Sequence, residues 1–123
     1  MKNLMKTEEI IRAYFDGIRQ KNGWQSLISD KMTFTSPGGS TKGKDAYVET
    51  TDRFLRVVKT AAIKDMIIQE DKACVLVDYE LQSPKSNTTN CVVAEILSVK
   101  DNKISSSAIF FDTAAFRNFM AQG

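Results

Sequence analysis

The second half of the chain contains four long β-forming segments, and this feature constrains the fold more than any other. The segments cover about residues 61–69, 73–82, 88–99 and 103–112, with three to five residues between each and the next. They are rich in Val and Ile, which is typical of strands. Connections this short join antiparallel neighbours. The sequence therefore predicts an antiparallel sheet whose strands are long for a chain of 123 residues.

The first half of the chain carries helical periodicity. From Thr7, an N-cap candidate, apolar residues recur every three or four positions to about Gln20, which predicts a first amphipathic helix. A short second helix is predicted around Trp24, and a third begins at Lys44 with its apolar residues on one face. Residues 31–36 alternate between polar and apolar, so we expect a short strand there.

A turn and a short C-terminal segment complete the pattern. The stretch Ser36-Pro37-Gly38-Gly39-Ser40-Thr41 is the densest turn signal in the chain, so we expect a loop at the rim of the domain. After Asp112, apolar residues allow one or two helical turns. With helices first and strands later, we expect residues 1–123 to form a single α+β domain. Its N-terminal helices would pack on the concave face of a curved antiparallel sheet.

Charge and composition exclude several classes of partner. The net charge is +2, and the 17 Lys and Arg residues lie among acidic residues, without a block that could follow a phosphate backbone. We therefore expect no nucleic-acid partner. The opening residues lack an apolar signal sequence, and no run of about eighteen apolar residues occurs. These features predict no membrane segment and a cytoplasmic protein.

The chain contains no histidine and two cysteines, Cys74 and Cys91. The absence of histidine excludes Ser-His and Cys-His nucleophile systems and His-ligated zinc. Two cysteines are too few for a Cys-based metal site, so we expect no metal and no cofactor. The two thiols could face each other across a hairpin, but a reducing cytoplasm favours free cysteines. Asp78 and Glu80 share one strand face and could form a carboxylate pair. Because the chain has no histidine to complete a metal site with them, we expect both side chains to face solvent.

The predicted strand over residues 88–99 is apolar on both of its faces. One side carries Val93, Glu95 and Leu97, and the other carries Val92, Ala94 and Ile96. Such a strand must be covered on both sides. If helices cover the concave side, a second copy of the chain is the simplest cover for the convex side. We therefore predict a homodimer through the sheet.

The aromatic residues are numerous enough to line an internal pocket. Long strands with few large side chains between them would leave a cavity of roughly a few hundred cubic ångströms, at the lower end of the range for ligand sites. The predicted pocket residues are Trp24, Phe34, Ser36, Phe54, Val93 and Phe110, and the same aromatic set includes Tyr47 and Phe111. Such a pocket suits a small apolar or aromatic molecule. The alternative is that most of these rings fill the core.

Three local patterns, in this order, resemble the nuclear transport factor 2-like superfamily in its SnoaL-like and ketosteroid-isomerase branch. The resemblance extends from Glu8 to Phe116. It rests on Ile11-Arg12-Ala13-Tyr14-Phe15, on Phe34-Thr35-Ser36-Pro37-Gly38-Gly39 with Gly43-Lys44-Asp45-Ala46, and on Val93-Ala94-Glu95-Ile96-Leu97 continuing through Lys100-Asp101-Asn102-Lys103-Ile104 to Phe110-Phe111-Asp112. It implies a cone-shaped α+β fold with an internal pocket, frequent dimers, and functions that range from isomerases, dehydratases and hydrolases to binding without catalysis.

The resemblance also implies two residues of a site. Tyr14 matches the tyrosine with which ketosteroid isomerases donate a hydrogen bond to a substrate oxyanion, and Glu95 falls where they place a protonated carboxylic acid. Val93 and Leu97 flank Glu95, and desolvation there should keep its carboxyl group neutral. Tyr14 and Glu95 could together polarise a carbonyl or a phenol. Alternatively, the hydroxyl group of Tyr14 bonds to Glu95 in a buried pair that only fixes the packing.

The same resemblance marks one departure and one further acid. The isomerases place their catalytic aspartate at the end of the first strand, where this chain has Ser36, and an unassisted serine hydroxyl cannot take a proton at neutral pH. Isomerisation of the ketosteroid type is therefore not expected. Asp112 ends the last strand, where SnoaL-like cyclases carry an acidic residue used as acid or base. Asp112 could instead cap a helix that begins at Thr113.

Two functions are consistent with these residues. In the first, the chain is a pocketed SnoaL-like protein that binds or converts a small apolar or aromatic molecule, by isomerase, dehydratase, hydrolase or cyclase chemistry. Tyr14 and Glu95 would donate hydrogen bonds to an oxygen of that molecule, and Asp112 would serve as an acid or base. In the second, the chain is a non-catalytic dimeric ligand-binding or accessory module, and the same polar residues are structural.

Overall fold

The helices lie close to where the periodicity placed them. The computed structural model describes residues 2–122, with α1 at Lys2–Gln20, a short 3-10 helix at Gln25–Leu27, α2 at Lys44–Leu55 and α3 at Thr113–Gln122. α1 begins at Lys2 rather than at Thr7, so Thr7 is not an N-cap. Its side chain is buried, and its hydroxyl group donates to the carbonyl oxygen of Glu70 over 2.9 Å.

Within residues 2–122, six strands form one sheet in the order β2-β1-β6-β5-β4-β3. They are β1 (Ile28–Ser36), β2 (Gly39–Lys42), β3 (Val58–Gln69), β4 (Lys72–Gln82), β5 (Thr88–Lys100) and β6 (Lys103–Phe110). Neighbours run antiparallel except β1 and β6, which are parallel. The predicted α+β class with a curved sheet is confirmed.

Strand β2 is an element that the sequence did not predict. The expected loop is instead a tight turn at Pro37 and Gly38, after which the chain folds back on β1 and pairs Ser36 with Gly39 and Thr33 with Lys42. Gly39 has a φ of +138°, a conformation that residues with a side chain rarely adopt. The predicted turn is present, but β2 was not predicted, because glycine and serine are not typical of strands.

The concave face of the sheet carries the core. Alternate residues of β4 point inward, namely Val75, Val77, Tyr79 and Leu81, and all are buried. α1 packs across β3 and β4 from this side, and α2 packs against β1. The pairing register shifts between Ile63 and Asp65 on β3 and between Ser98 and Val99 on β5. Such irregularities bend strands, and a bent sheet can enclose space beneath its helices.

The opposite face of the sheet, here called the outer face, is apolar and exposed. It carries Ile67, Leu76, Val92, Ile96 and Phe110, whose exposed fractions range from 37% for Leu76 to 66% for Ile67. Asp78 and Glu80 also lie on this face, half-buried, where they accept hydrogen bonds from Asn90 and Thr60. Large apolar side chains that share one exposed surface are typical of an interaction site.

The two cysteines are free, half-buried and on opposite faces of the sheet. Cys74 pairs with Ile96 across β4 and β5 and therefore shares the outer face, whereas Cys91 pairs with Tyr79 and points inward. Side chains on opposite faces cannot form a disulfide bond with normal geometry. Within residues 2–122, no helix is both long enough and apolar enough to cross a membrane.

Candidate functional site

A cavity of about 180 Å³ lies between the concave face of the sheet and the helices. Four phenylalanine rings and all three tyrosines of the chain contribute to its lining. Glu95 supplies the one carboxyl group among the described lining residues, and none of those residues is basic. The cavity is smaller than the sequence led us to expect. Its chemistry is that of an aromatic chamber with a single acid.

Tyr14 and Tyr47 form the first polar pair of the cavity. α1 and α2 bring their hydroxyl groups into a direct hydrogen bond, and each residue is only 3% exposed. Thr51, also on α2, forms a hydrogen bond with Tyr47. Three hydroxyl hydrogens therefore serve two hydrogen bonds, which leaves one donor for a ligand. Burial raises the pKa of both tyrosines well above the usual value of 10.0, so they act as neutral donors at physiological pH.

Tyr79 and Glu95 form the second polar pair. They lie on neighbouring strands, β4 and β5, and the hydroxyl group of Tyr79 donates to Oε1 of Glu95 over 2.7 Å. Glu95 is 6% exposed, and its burial raises the pKa of the carboxyl group from 4.5 to about 7, although the bond from Tyr79 partly opposes this rise. A carboxyl group with this pKa can both take and release a proton near neutral pH.

The hydrogen-bond partners differ from those that the sequence suggested. One of the two interpretations had the hydroxyl group of Tyr14 bonding to Glu95, yet it bonds to Tyr47, and Tyr79 bonds to Glu95 instead. All four side chains still line one cavity, and the charge of Glu95 contributes to the raised pKa of each tyrosine. Tyr79 was missed as a site residue. Its position two residues from Val77 and Leu81 could have placed it on the inner face.

Most of the predicted pocket residues line the cavity. Phe34, Ser36, Phe54 and Val93 do so, and Ser36 accepts a hydrogen bond from the backbone nitrogen of Gly38 over 3.2 Å. Trp24 does not reach the cavity. It is completely buried behind the first polar pair, with its ring edge-on to the rings of Tyr14 and Tyr47 at centroid distances of 6.4 and 6.2 Å.

Phe110 was predicted to line the pocket, but it lies on the outer face and is 54% exposed. The reason is strand alternation: its neighbours Ile109 and Phe111 both line the cavity, so the side chain between them must point away. The prediction for Phe110 was therefore wrong, whereas Phe111, from the same aromatic set, lines the cavity.

Asp112 caps α3. Its Oδ1 accepts a hydrogen bond from the backbone nitrogen of Ala115 over 3.0 Å, which is the N-cap arrangement that the sequence offered as an alternative. Its exposed carboxyl group lies outside the aromatic cavity, in an adjoining cleft. Its use as an acid or base stays a prediction. Among residues 2–122, no three His, Cys, Asp or Glu side chains gather into a group that could hold a metal ion.

Comparison with known proteins identifies a sequence family and a shared fold. The SnoaL-like domain family matches the chain over residues 11–107. No curated protein matches the chain in sequence.

Solved structures resemble the fold at low sequence identity. A Jannaschia sp. CCS1 protein assigned as a SnoaL-like polyketide cyclase has a TM-score of 0.87 at 9% identity, covering 100% of this chain and 96% of its own. SalBIII, an epoxide hydrolase/cyclase-like enzyme in pyran ring formation in the polyether salinomycin, has a TM-score of 0.82 at 16% identity, with 93% and 96% covered. TerC, crystallised with polyporic acid, has a TM-score of 0.81 at 22% identity, with 92% and 96% covered.

Proposed function

The chain belongs to the SnoaL-like domain family, and we propose that its cavity binds a small ring compound with a carbonyl or phenolic oxygen and transfers a proton to or from it. One observation carries this proposal. Glu95, with a pKa of about 7, lies in an otherwise uncharged aromatic cavity together with three neutral tyrosines. A buried carboxyl group poised between its two protonation states is typical of a catalytic acid or base.

The two polar pairs would have different roles in a proton transfer: one supplies the base, and the other supplies a hydrogen-bond donor. In its ionised form, Glu95 would take a proton from a carbon next to a ring carbonyl, and the electrons of that C–H bond would form an enolate. The free hydroxyl hydrogen of the Tyr14 and Tyr47 group would bond to the enolate oxygen. Protonated Glu95 would then return the proton to the same carbon or to another, which exchanges the hydrogen or isomerises the compound.

Glu95 would thus replace the base that is missing at Ser36. Among the described residues, Oε2 of Glu95 makes no hydrogen bond, so one carboxylate oxygen is available to a ligand. The low polarity of the cavity strengthens each hydrogen bond to a developing charge. Relatives of the same fold include enzymes named for cyclisation and a protein crystallised with polyporic acid, which is compatible with an oxygenated ring compound as the ligand.

Hydrogen exchange into a simple ketone tests this function. Incubated with cyclohexanone in D₂O, the wild-type protein should speed deuterium uptake next to the carbonyl, measured by proton NMR. Glu95→Gln should slow this uptake by about 100-fold or more, because a positioned base contributes roughly that factor. Glu80→Gln, on the outer face, should leave the rate unchanged. Equal rates for wild type and Glu95→Gln would contradict the proposal.

The second function, a dimeric module without catalysis, shares one feature with the first. The exposed apolar residues of the outer face support a homodimer through the sheet, whether or not the cavity is catalytic. Ligand-induced stabilisation without any hydrogen exchange would favour the module. We also propose that the chain is a single cytoplasmic domain without a nucleic-acid or membrane partner.

A further inference from the structure

A second cleft, of about 190 Å³, adjoins the aromatic cavity. Cys91 and Phe116 line both spaces and therefore form the wall between them. On the far side of this wall, Leu81 and Val92 provide apolar surface, whereas Thr89, Asn90 and the carboxyl group of Asp112 provide polar surface. The cleft thus has about the same volume as the cavity and contains a carboxyl group. Two side chains separate the cleft from the cavity.

The position of Phe116 is defined by its neighbours. Its ring centroid lies 5.4 Å from that of Phe111 in an edge-on contact and 6.5 Å from that of Phe54, and both of those rings line the cavity. Its backbone nitrogen donates to the carbonyl oxygen of Asp112 over 3.1 Å, which places it in the first turn of α3. The wall is therefore built by the capped start of the last helix.

The cavity volume limits the size of a ligand. An apolar cavity of about 150 Å³ can take up benzene. At the packing density of protein interiors, a cavity of 180 Å³ accommodates a molecule of roughly 135 Å³. That volume suits one six-membered ring with small substituents. Joining the second cleft to the cavity would about double the space and admit a second ring.

We infer that Phe116 determines ligand size: it restricts the cavity to single-ring compounds and closes off an extension that ends at Asp112. The inference rests on the proposed function for the nature of the ligand, a ring compound with an oxygen that the tyrosines and Glu95 can bind. Cys91 is the smaller part of the wall, and its side chain extends from β5, whereas Phe116 extends from α3.

Binding of two phenols tests the inference. Phenol has one ring and 4-phenylphenol has two, with the same hydroxyl group. The wild-type protein should bind phenol at least about tenfold more tightly than 4-phenylphenol, measured by titration calorimetry. Phe116→Ala should bind 4-phenylphenol at least about tenfold more tightly than the wild type does, so that the preference for phenol is lost or reversed. Phe116→Leu, which keeps much of the apolar volume, should fall between the two.

Phe119→Ala is the matched control, because Phe119 is a buried ring of α3 that lines neither space. It should leave the preference for phenol intact. If Phe116→Ala and Phe116→Leu keep the wild-type preference, or if the wild type binds both phenols equally, the inference is wrong while the proposed function stands. If the wild type binds neither phenol, the proposed function is wrong and the inference fails with it.

Discussion

At the scale of single residues, the burial of Glu95 couples its protonation to folding. The pKa of the carboxyl group is 4.5 in an unfolded chain and about 7 in the folded one. Between these values the folded state holds a proton that the unfolded state has released. The contribution of Glu95 to the free energy of unfolding is therefore fully present below pH 4.5. It is lost as the pH rises from there through about 7, and the loss is roughly 3 kcal/mol in total.

Chemical denaturation at a series of pH values measures this dependence. Between about pH 5 and pH 8 the wild-type free energy of unfolding should fall, and Glu95→Gln should remove most of that fall, because its amide does not titrate. Glu80→Gln, a matched change on the neighbouring strand, should behave like the wild type. An unchanged pH dependence in Glu95→Gln would show that Glu95 does not hold a proton in the folded state.

The sequence could identify Tyr14 and Glu95 as inward-facing residues but not their hydrogen-bond partners. Strand alternation grouped Glu95 with Val93 and Leu97, and the family resemblance placed that residue in the pocket. Helical periodicity placed Tyr14 on the apolar side of the first helix. Which hydroxyl group meets which oxygen depends on how α1 and α2 cross the sheet. This crossing is set by packing over the whole core, so the bonds from Tyr14 to Tyr47 and from Tyr79 to Glu95 could not be predicted.

At the scale of elements, Gly17 allows α1 to pack against the segment that follows it. A Cβ atom at this position would lie 2.8 Å from the backbone nitrogen of Trp24 and 2.9 Å from its Cβ atom. Gly17→Ala should therefore destabilise the protein, because overpacking costs about 1–3 kcal/mol and exceeds the gain of up to about 1 kcal/mol in helix propensity. Gln20→Ala, at an exposed site of α1, should change the free energy of unfolding by less than about 0.5 kcal/mol. A Gly17→Ala variant as stable as the wild type would contradict this packing.

The start of α3 depends on Asp112, and two substitutions separate its cap from its charge. Asparagine caps helices about as well as aspartate, whereas alanine costs about 1 kcal/mol. Asp112→Asn should therefore keep the amide protons of α3 as protected against exchange as in the wild type, and Asp112→Ala should reduce their protection. If Asp112 is also an acid or base, Asp112→Asn should lose activity without losing protection. Equal protection in all three proteins would contradict the cap.

Elements with a periodic residue pattern were predictable, whereas β2 and the pairing of β1 with β6 were not. The four C-terminal strands and the helices α1 and α2 follow from residue patterns that extend over eight or more positions. β2 has four residues and begins with glycine and serine, so its sequence reads as a turn. The parallel pairing of β1 with β6 joins segments far apart in the chain, and no local pattern encodes it.

At the scale of the whole molecule, the outer face is the surface that a second copy would cover. Ile96→Glu places a charge among the apolar side chains of this face and should convert a wild-type dimer to a monomer, measured by sedimentation. Ala13→Glu, at an exposed site of α1 in the helical layer, should leave the dimer intact. A wild-type protein that sediments as a monomer, or an unaffected Ile96→Glu variant, would contradict the assembly.

The proposed proton transfer depends on the protonation state of the Glu95 carboxyl group, and carbon NMR can observe this state directly. In protein labelled with ¹³C at the glutamate side chains, the signal missing from Glu95→Gln identifies the Glu95 carboxyl carbon. Its chemical shift should titrate with a pKa of about 7. A pKa near the ordinary 4.5 would mean that Glu95 is solvated and ionised at neutral pH, and the proposed acid–base site would be wrong.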